Sequence, residues 1–226
     1  MREKLCRTLR YISQKVWDWM GDSQYFGFYQ TSQQNIIRGL GFGEETITDL
    51  VLLEITKRQP YDVITVKYGR TYEAHEGADW EWWILSTSGI IGLRFQAKRV
   101  HFSTSGYEYT HLDYKQKNNQ YQVDILIQRA QRLRLVPLYI FYNFWDLDYP
   151  FYKYISHLNN FKCCRVYSRR NLGITIASAV RIKNLIDKGK KRLSDVLSIS
   201  YPIYALGCCN FSDLSESIFK FIDKLF

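Results

Sequence analysis

The segment from Gly77 to Arg99 constrains this chain most. It reads Gly77-Ala-Asp-Trp-Glu-Trp-Trp83, Ile84-Leu85, Ser86-Thr-Ser-Gly89, Ile90-Ile-Gly-Leu-Arg-Phe95 and Gln96-Ala97-Lys98-Arg99. Two runs rich in β-branched and aromatic residues flank a short Ser/Thr/Gly break, which predicts a β-hairpin. With Thr87 and Ser88 at the tip, opposed residues have numbers summing to 175, so Ile84 faces Ile91 and Asp79 faces Gln96. A one-residue slip would turn every side chain to the other face, so the register fixes the patch. Alternation puts Asp79 and Glu81 on one face, and Gln96 and Lys98 on one face. The hairpin thereby gathers carboxylates, an amide oxygen and an ammonium, an inventory suited to a divalent metal and a phosphate.

The surrounding pattern predicts an α/β fold. A helix begins near Gly43-Glu44-Glu45, with carboxylates at its positive end and Ile47, Leu50, Val51 and Leu53 as apolar positions, and Pro60 bounds it. Asp62 to Tyr68 alternates as a strand, and the hairpin follows. From about Asn119 the chain turns helical, with Val123, Leu126, Ile127, Ala130 and Leu133 on one face, and Val136 to Tyr142 is a buried strand. The order is α, β, β, β, α, β, and the second helix is long enough for a right-handed crossover that makes the third and fourth strands parallel neighbours. Residues 1–20 carry a stripe of Leu5, Leu9, Ile12, Val16 and Met20, read as a helix docked on the protein's own core or on a second copy. A membrane surface is the alternative for this basic amphipathic helix. Residues 21–43 read as loop, Gly173 to Asp187 as a helix, Tyr201 to Cys208 as a short strand, and the stretch after Ser212 as an amphipathic helix through Leu225. One domain over 1–226 is expected: an N-terminal helix and loop at 1–43, a core at 44–143 and a C-terminal extension at 144–226.

A Gly-x-Asp on one strand followed by (Asp/Glu/Gln)-x-Lys on the next resembles the PD-(D/E)XK, restriction-endonuclease-like nucleases. The tryptophan-rich form in this chain is similar to an uncharacterised bacterial family within that superfamily, over roughly residues 44–143. The resemblance implies an αβββαβ core, with a mixed sheet flanked by helices and helices added at both ends. It also implies hydrolysis of phosphodiester bonds with Mg2+ or Mn2+, and a role in defence against foreign DNA. Asp79 is then the first metal ligand, Gln96 coordinates through its carbonyl or positions a water, and Lys98 orients the attacking water or steadies the charge developing at phosphorus. Glu81 is a second candidate oxygen for the metal, or a solvated strand carboxylate. The superfamily's first helix carries a glutamate that completes the site. Glu45 matches best, and Glu44 and Glu54 are not separated from it by spacing. Gln122, at the head of the crossover helix, also matches the family. Gln96 stands where Asp or Glu is more usual, which removes a negative charge from the ligand set.

The net charge of +9 favours a polyanionic partner, and basic residues cluster at Lys98-Arg99, Arg129/Arg132/Arg134, Arg165/Arg169/Arg170 and Lys188 to Arg192. DNA is the expected partner, with a second copy of the chain or a defence-system protein as further candidates. Trp80 and Trp82 point away from Asp79 and are read as core, whereas Trp83, Tyr107, Tyr109 and Tyr114 are candidates for base stacking. No apolar run reaches eighteen residues and no secretory h-region opens the chain, so a cytoplasmic protein without a transmembrane segment is expected. The five cysteines form no C-x-x-C pair, and they are read as buried free thiols rather than a disulfide framework. A zinc site at His157 and Cys163 is a weaker alternative. Three functions follow: a metal-dependent nuclease, a nucleic-acid-binding module of the same fold with weak or no catalysis, and a membrane-surface or assembly protein built on the N-terminal helix.

Overall fold

A computed structural model of the protein describes residues 2–29, 42–69, 72, 75–86, 89–103, 106–116, 119–160 and 165–208. Helix α1 (Arg2–Tyr29) precedes α2 (Glu44–Arg58), then come β1 (Val63–Lys67), β2 (Trp80–Ser86) and β3 (Gly89–Arg99). A small pair, β4 (His101–Ser103) and β5 (Gly106–Glu108), separates β3 from α3 (Gln122–Leu133) and β6 (Val136–Tyr142). After short 3-10 turns the chain forms β7 (Ile174–Ser178), α4 (Ala179–Ile186), α5 (Leu193–Leu197), β8 (Tyr201–Pro202) and α6 (Ala205–Cys208). The fold is α/β, with one mixed six-stranded sheet in the order β1-β2-β3-β6-β7-β8, flanked by helices.

The hairpin register is the expected one: Ile84 pairs with Ile91 and Trp80 with Phe95. One face of the sheet carries Trp80, Trp82 and Phe95, whose rings meet at 4.9–5.9 Å and are fully buried. Tyr142 belongs to this face and is bonded to Thr48 of α2 at 2.9 Å. Helix α3 provides the crossover that sets β6 parallel to β3. It ends where Arg134 turns left-handed (φ 54°) and closes the last turn with its own N–H. It packs on β6 and on α4, with Lys183 reaching Asp124 at 2.8 Å.

The apolar stripe of α1 docks inward, and Leu5, Leu9, Ile12, Val16 and Met20 are all buried in the same core as the sheet. That burial takes this stripe off the surface. No helix among the described residues is long and apolar enough to cross a membrane. Helix α1 also runs on to Tyr29, beyond the loop expected from residue 21, while 30–41 lie outside the described residues. Its partner is the C-terminal third. Buried Ser13 donates to Asn171 O (3.0 Å) and accepts from Ile174 N (2.9 Å). A Cβ on Gly173 would lie 2.1 Å from Ser13 O, so only glycine permits this approach.

Three expectations for the C-terminal part are corrected. Ile174–Ser178 is a strand antiparallel to β6, not the start of a helix, and only Ala179–Ile186 is helical. Its five residues are buried on both faces, and such a continuous apolar run has no period that separates strand from helix. The strand expected over Tyr201 to Cys208 is limited to Tyr201–Pro202, because proline cannot extend the ladder, and the chain then turns into α6. Cys6 and Cys208 are not free thiols: they form a disulfide between α1 and α6, with Cα atoms 5.0 Å apart. Cys163, Cys164, Cys209 and the helix expected after Ser212 lie outside the described residues. His157 bonds through Nε2 to Ser200 O at 2.8 Å.

Candidate functional site: a strand overhang that collects carboxylates

Strand β3 is longer than its hairpin partner, 11 residues against 7. The ladder with β2 ends at Trp80 and Phe95, with a last bond from Asp79 N to Phe95 O of 2.8 Å. Gln96 to Arg99 stay extended because β6 pairs with them on the other side, Gln96 opposite Tyr139 through Arg99 opposite Tyr142. Backbone N–H groups alternate in direction along a strand, so those of Ala97 and Arg99 point to the side where β2 has ended. A buried N–H needs an acceptor. Ala97 N donates to Asp79 Oδ2 at 2.6 Å, and Arg99 N donates to Glu44 Oε2 at 2.9 Å. Two such donors lie about 7 Å apart along a strand, so they set two carboxylates side by side on the edge of β3.

The side chains of the overhang complete the patch. Gln96 is 2 % exposed and its Nε2 donates to both Asp79 oxygens, at 3.1 and 2.9 Å. Its Oε1 is buried and has no partner among the described residues. Lys98 is buried beside the carboxylates, and its charge favours ionisation of both Asp79 and Glu44. Burial nevertheless dominates at Asp79 and raises its pKa from 3.8 to about 6. The Glu44 charge adds to the rise, and Lys98, the Ala97 N–H and Gln96 oppose it. Burial likewise raises Glu44, against Lys98 and the Arg99 N–H.

The loop before Asp79 is held by a close approach. Gly77 has φ +66°, and a Cβ there would sit 2.8 Å from Leu126 N and 3.1 Å from Gln122 O. The first turn of α3, with the backbone of Gln122, therefore lies directly against the loop that leads into Asp79.

Asp79, Gln96 and Lys98 are brought together. Glu45 is not the carboxylate on the β3 edge: it is exposed, whereas Glu44, one position earlier, is the residue bonded to Arg99. One position rotates a helical side chain by about 100°, enough to separate the two. Glu54 is engaged by Arg58 of its own helix at 2.7 Å. Glu81 is neither a solvated carboxylate nor free to bind a metal. It is 6 % exposed and accepts from Arg94 Nη1 at 2.6 Å and from Tyr68 OH at 2.5 Å, and Arg94 also reaches Glu76 at 2.5 Å. The register already held this answer, since 81 and 94 sum to 175 and the two residues pair across the hairpin. Trp80 and Trp82 are core, and Tyr109 is wholly buried with its hydroxyl on Asn143, so none of these three can stack on a base. Tyr114 is 50 % exposed.

Among the described residues no group of three or more His, Cys, Asp or Glu side chains is arranged to hold a metal. The oxygens at the overhang are instead those of two carboxylates, Asp79 and Glu44, and the orphaned amide oxygen of Gln96. That set fits a hard divalent cation that keeps several waters, with Lys98 as the nearby counter-charge for an anionic ligand.

A model of one family, described as a family of unknown function (DUF6615), matches residues 5–224, and so takes in every residue of the overhang site. No curated protein is similar enough to the chain to count as a relative. The chain belongs to the DUF6615 family.

Proposed function

We propose that the protein is a divalent-metal-dependent nuclease of the PD-(D/E)XK type that hydrolyses phosphodiester bonds in DNA. The observation that carries this reading is the β3 overhang, which collects Asp79, Glu44, Gln96 and Lys98 at one strand edge through two backbone N–H groups. Asp79, Glu44 and the Gln96 carbonyl would hold Mg2+ or Mn2+. The ion, when bound, supplies a Lewis acid for the phosphoryl oxygens and lowers the pKa of water. Asp79 must be ionised to serve, and Lys98 favours that state. The Lys98 ammonium also donates to the anionic phosphate as charge builds there, an interaction stronger in the transition state than in the ground state. Exposed Arg132, Arg134, Arg165, Arg170, Lys188, Lys190 and Arg192, on a chain of net charge +9, support a polyanionic substrate.

Incubation of the purified protein with plasmid, linear DNA and RNA, each with Mg2+, Mn2+ or EDTA, tests the proposal. Metal-dependent cleavage of DNA that EDTA abolishes is the expected result. Cleavage indifferent to EDTA, or loss of no activity in Lys98→Ala, would remove this site from the chemistry.

One observation favours a second reading, a nucleic-acid-binding module without efficient catalysis. The Gln96 amide donates to both oxygens of Asp79 and so occupies the carboxylate that a metal needs. Salt-sensitive DNA binding without cleavage, together with cleavage gained in Gln96→Glu, would establish this alternative.

A further inference from the structure

Strand β3 ends at Arg99, and β4 begins two positions on at His101. The side chains of these two residues meet. Arg99 Nη2 lies 3.4 Å from His101 Nδ1, and Arg99 Nη1 donates to Phe42 O at 2.6 Å. A guanidinium can only donate, so Nδ1 is the acceptor and the ring proton sits on Nε2. Burial, the Arg99 charge and His111 hold the His101 pKa below its ordinary value, with Glu108 opposing, so the ring is neutral at physiological pH. These contacts do not satisfy either residue. The Nε2–H has no acceptor among the described residues, and no carboxylate among them is paired with the half-buried guanidinium. Glu44, whose charge acts on Arg99, is engaged by the Arg99 backbone N–H and not by the guanidinium. A partly buried charge without a counter-ion is costly, and an anion relieves it.

We propose that Arg99 and the Nε2–H of His101 hold successive phosphates of a nucleic-acid strand beside the overhang, one through charge and the other through a neutral donor. The two ring nitrogens lie on different sides of the imidazole, so the Nε2–H points away from the guanidinium that caps Nδ1. The pair therefore suits two anionic groups in a row rather than one small anion. Arg99 begins this row inside the site, because its own backbone N–H carries Glu44. Glu108 stands opposite His101 in the β4–β5 register, and exposed Arg192 forms a bridge to Glu108 on its other side. Directly opposed residues share a face, so a cation flanks the Glu108 carboxylate and the row is basic at both ends. Contacts of this kind fix the register of a nucleic acid without reading its sequence. The inference rests on the nucleic-acid partner common to both readings above, and neither on a metal nor on cleavage.

The test uses the full chain in EDTA at about pH 8, where an imidazole is neutral, with a fluorescein-labelled DNA fragment over a series of salt concentrations. Arg99→Gln is expected to weaken binding roughly tenfold at low salt and to lower the slope of log affinity against log salt by about one, as loss of one phosphate contact does. His101→Phe is expected to weaken binding roughly fivefold, the value of one hydrogen bond, with the slope unchanged because no charge is lost. His101→Gln, whose amide can again present an N–H, should recover part of the loss. The ring nitrogens of His101, identified by their disappearance in His101→Phe, are followed by 15N NMR. The free protein should show the proton on Nε2, and the DNA should move that signal. Variants that bind as wild type does would overturn the proposal, and so would a proton found on Nδ1 or a slope that falls in His101→Phe. Wild type that binds but never cleaves removes the nuclease reading and leaves the phosphate row to be decided by the variants. Wild type that binds no DNA removes both.

Discussion

Lys98 faces two carboxylates, and its removal should have two separable effects. Lys98→Ala is expected to lower the cleavage rate roughly a hundredfold or more while leaving DNA affinity nearly intact, because its contact strengthens as charge develops at phosphorus. Single-turnover rates and a binding isotherm on the same protein check this. The same substitution removes a charge that favours ionised Asp79, so the pH at which activity rises should move upward. Without metal Asp79 is held up at about 6, and a bound cation favours its ionised form, so the rise in the wild type should lie below pH 6 and move lower as the metal concentration increases. For stability the sign is opposite to the usual carboxylate case. The folded state raises Asp79 from 3.8 to about 6, so it binds the proton more tightly than the unfolded chain does. Its contribution is fully present below the unfolded value and is lost as pH rises through the folded one. The metal-free protein should therefore lose at most about 3 kcal/mol from this group between pH 4 and pH 7. Urea unfolding at the two pH values should show the loss in wild type and a smaller one in Asp79→Asn.

Among the elements, the β2–β3 hairpin carries the largest electrostatic risk. Arg94 is fully buried between Glu81 and Glu76. Arg94→Met nearly keeps the volume but leaves buried Glu81 without its cation and Glu76 with only Arg129 at 4.0 Å, and breaking a buried pair in this way costs about 3–5 kcal/mol. A chemical-denaturation midpoint shift of that size is expected, with the double change Arg94→Met and Glu81→Gln recovering part of it. The hairpin was legible in the sequence because its turn residues and its alternation agree, and one register then places Asp79, Gln96 and the tryptophans. The partner of Glu81 was legible too, in the same arithmetic. Glu44 was legible only as one of three glutamates, because its anchor is a backbone N–H 55 positions away, and no local pattern shows which side of the helix will meet it. Strand β7 was hidden by its burial on both faces, which erases the alternation that marks a strand.

Across the whole molecule, the +9 charge should make DNA binding fall steeply with salt, as released counterions drive association. A plot of log affinity against log salt that stayed flat between low and physiological concentration would instead indicate a small ligand or a protein partner. The Cys6–Cys208 bond spans 202 positions. Cross-linking a loop of that length lowers the entropy of the unfolded chain, by up to about 5 kcal/mol in the chain-entropy picture. Reduction, or Cys6→Ser, should lower the unfolding midpoint accordingly. The same bond gives the protein the covalent topology of a ring, with α2, β3 and β6 all on its circumference. A protease that cuts one exposed loop opens the circle but separates nothing. The nicked molecule keeps both halves of its site tethered, and the fragments part on a denaturing gel only after reductant is added.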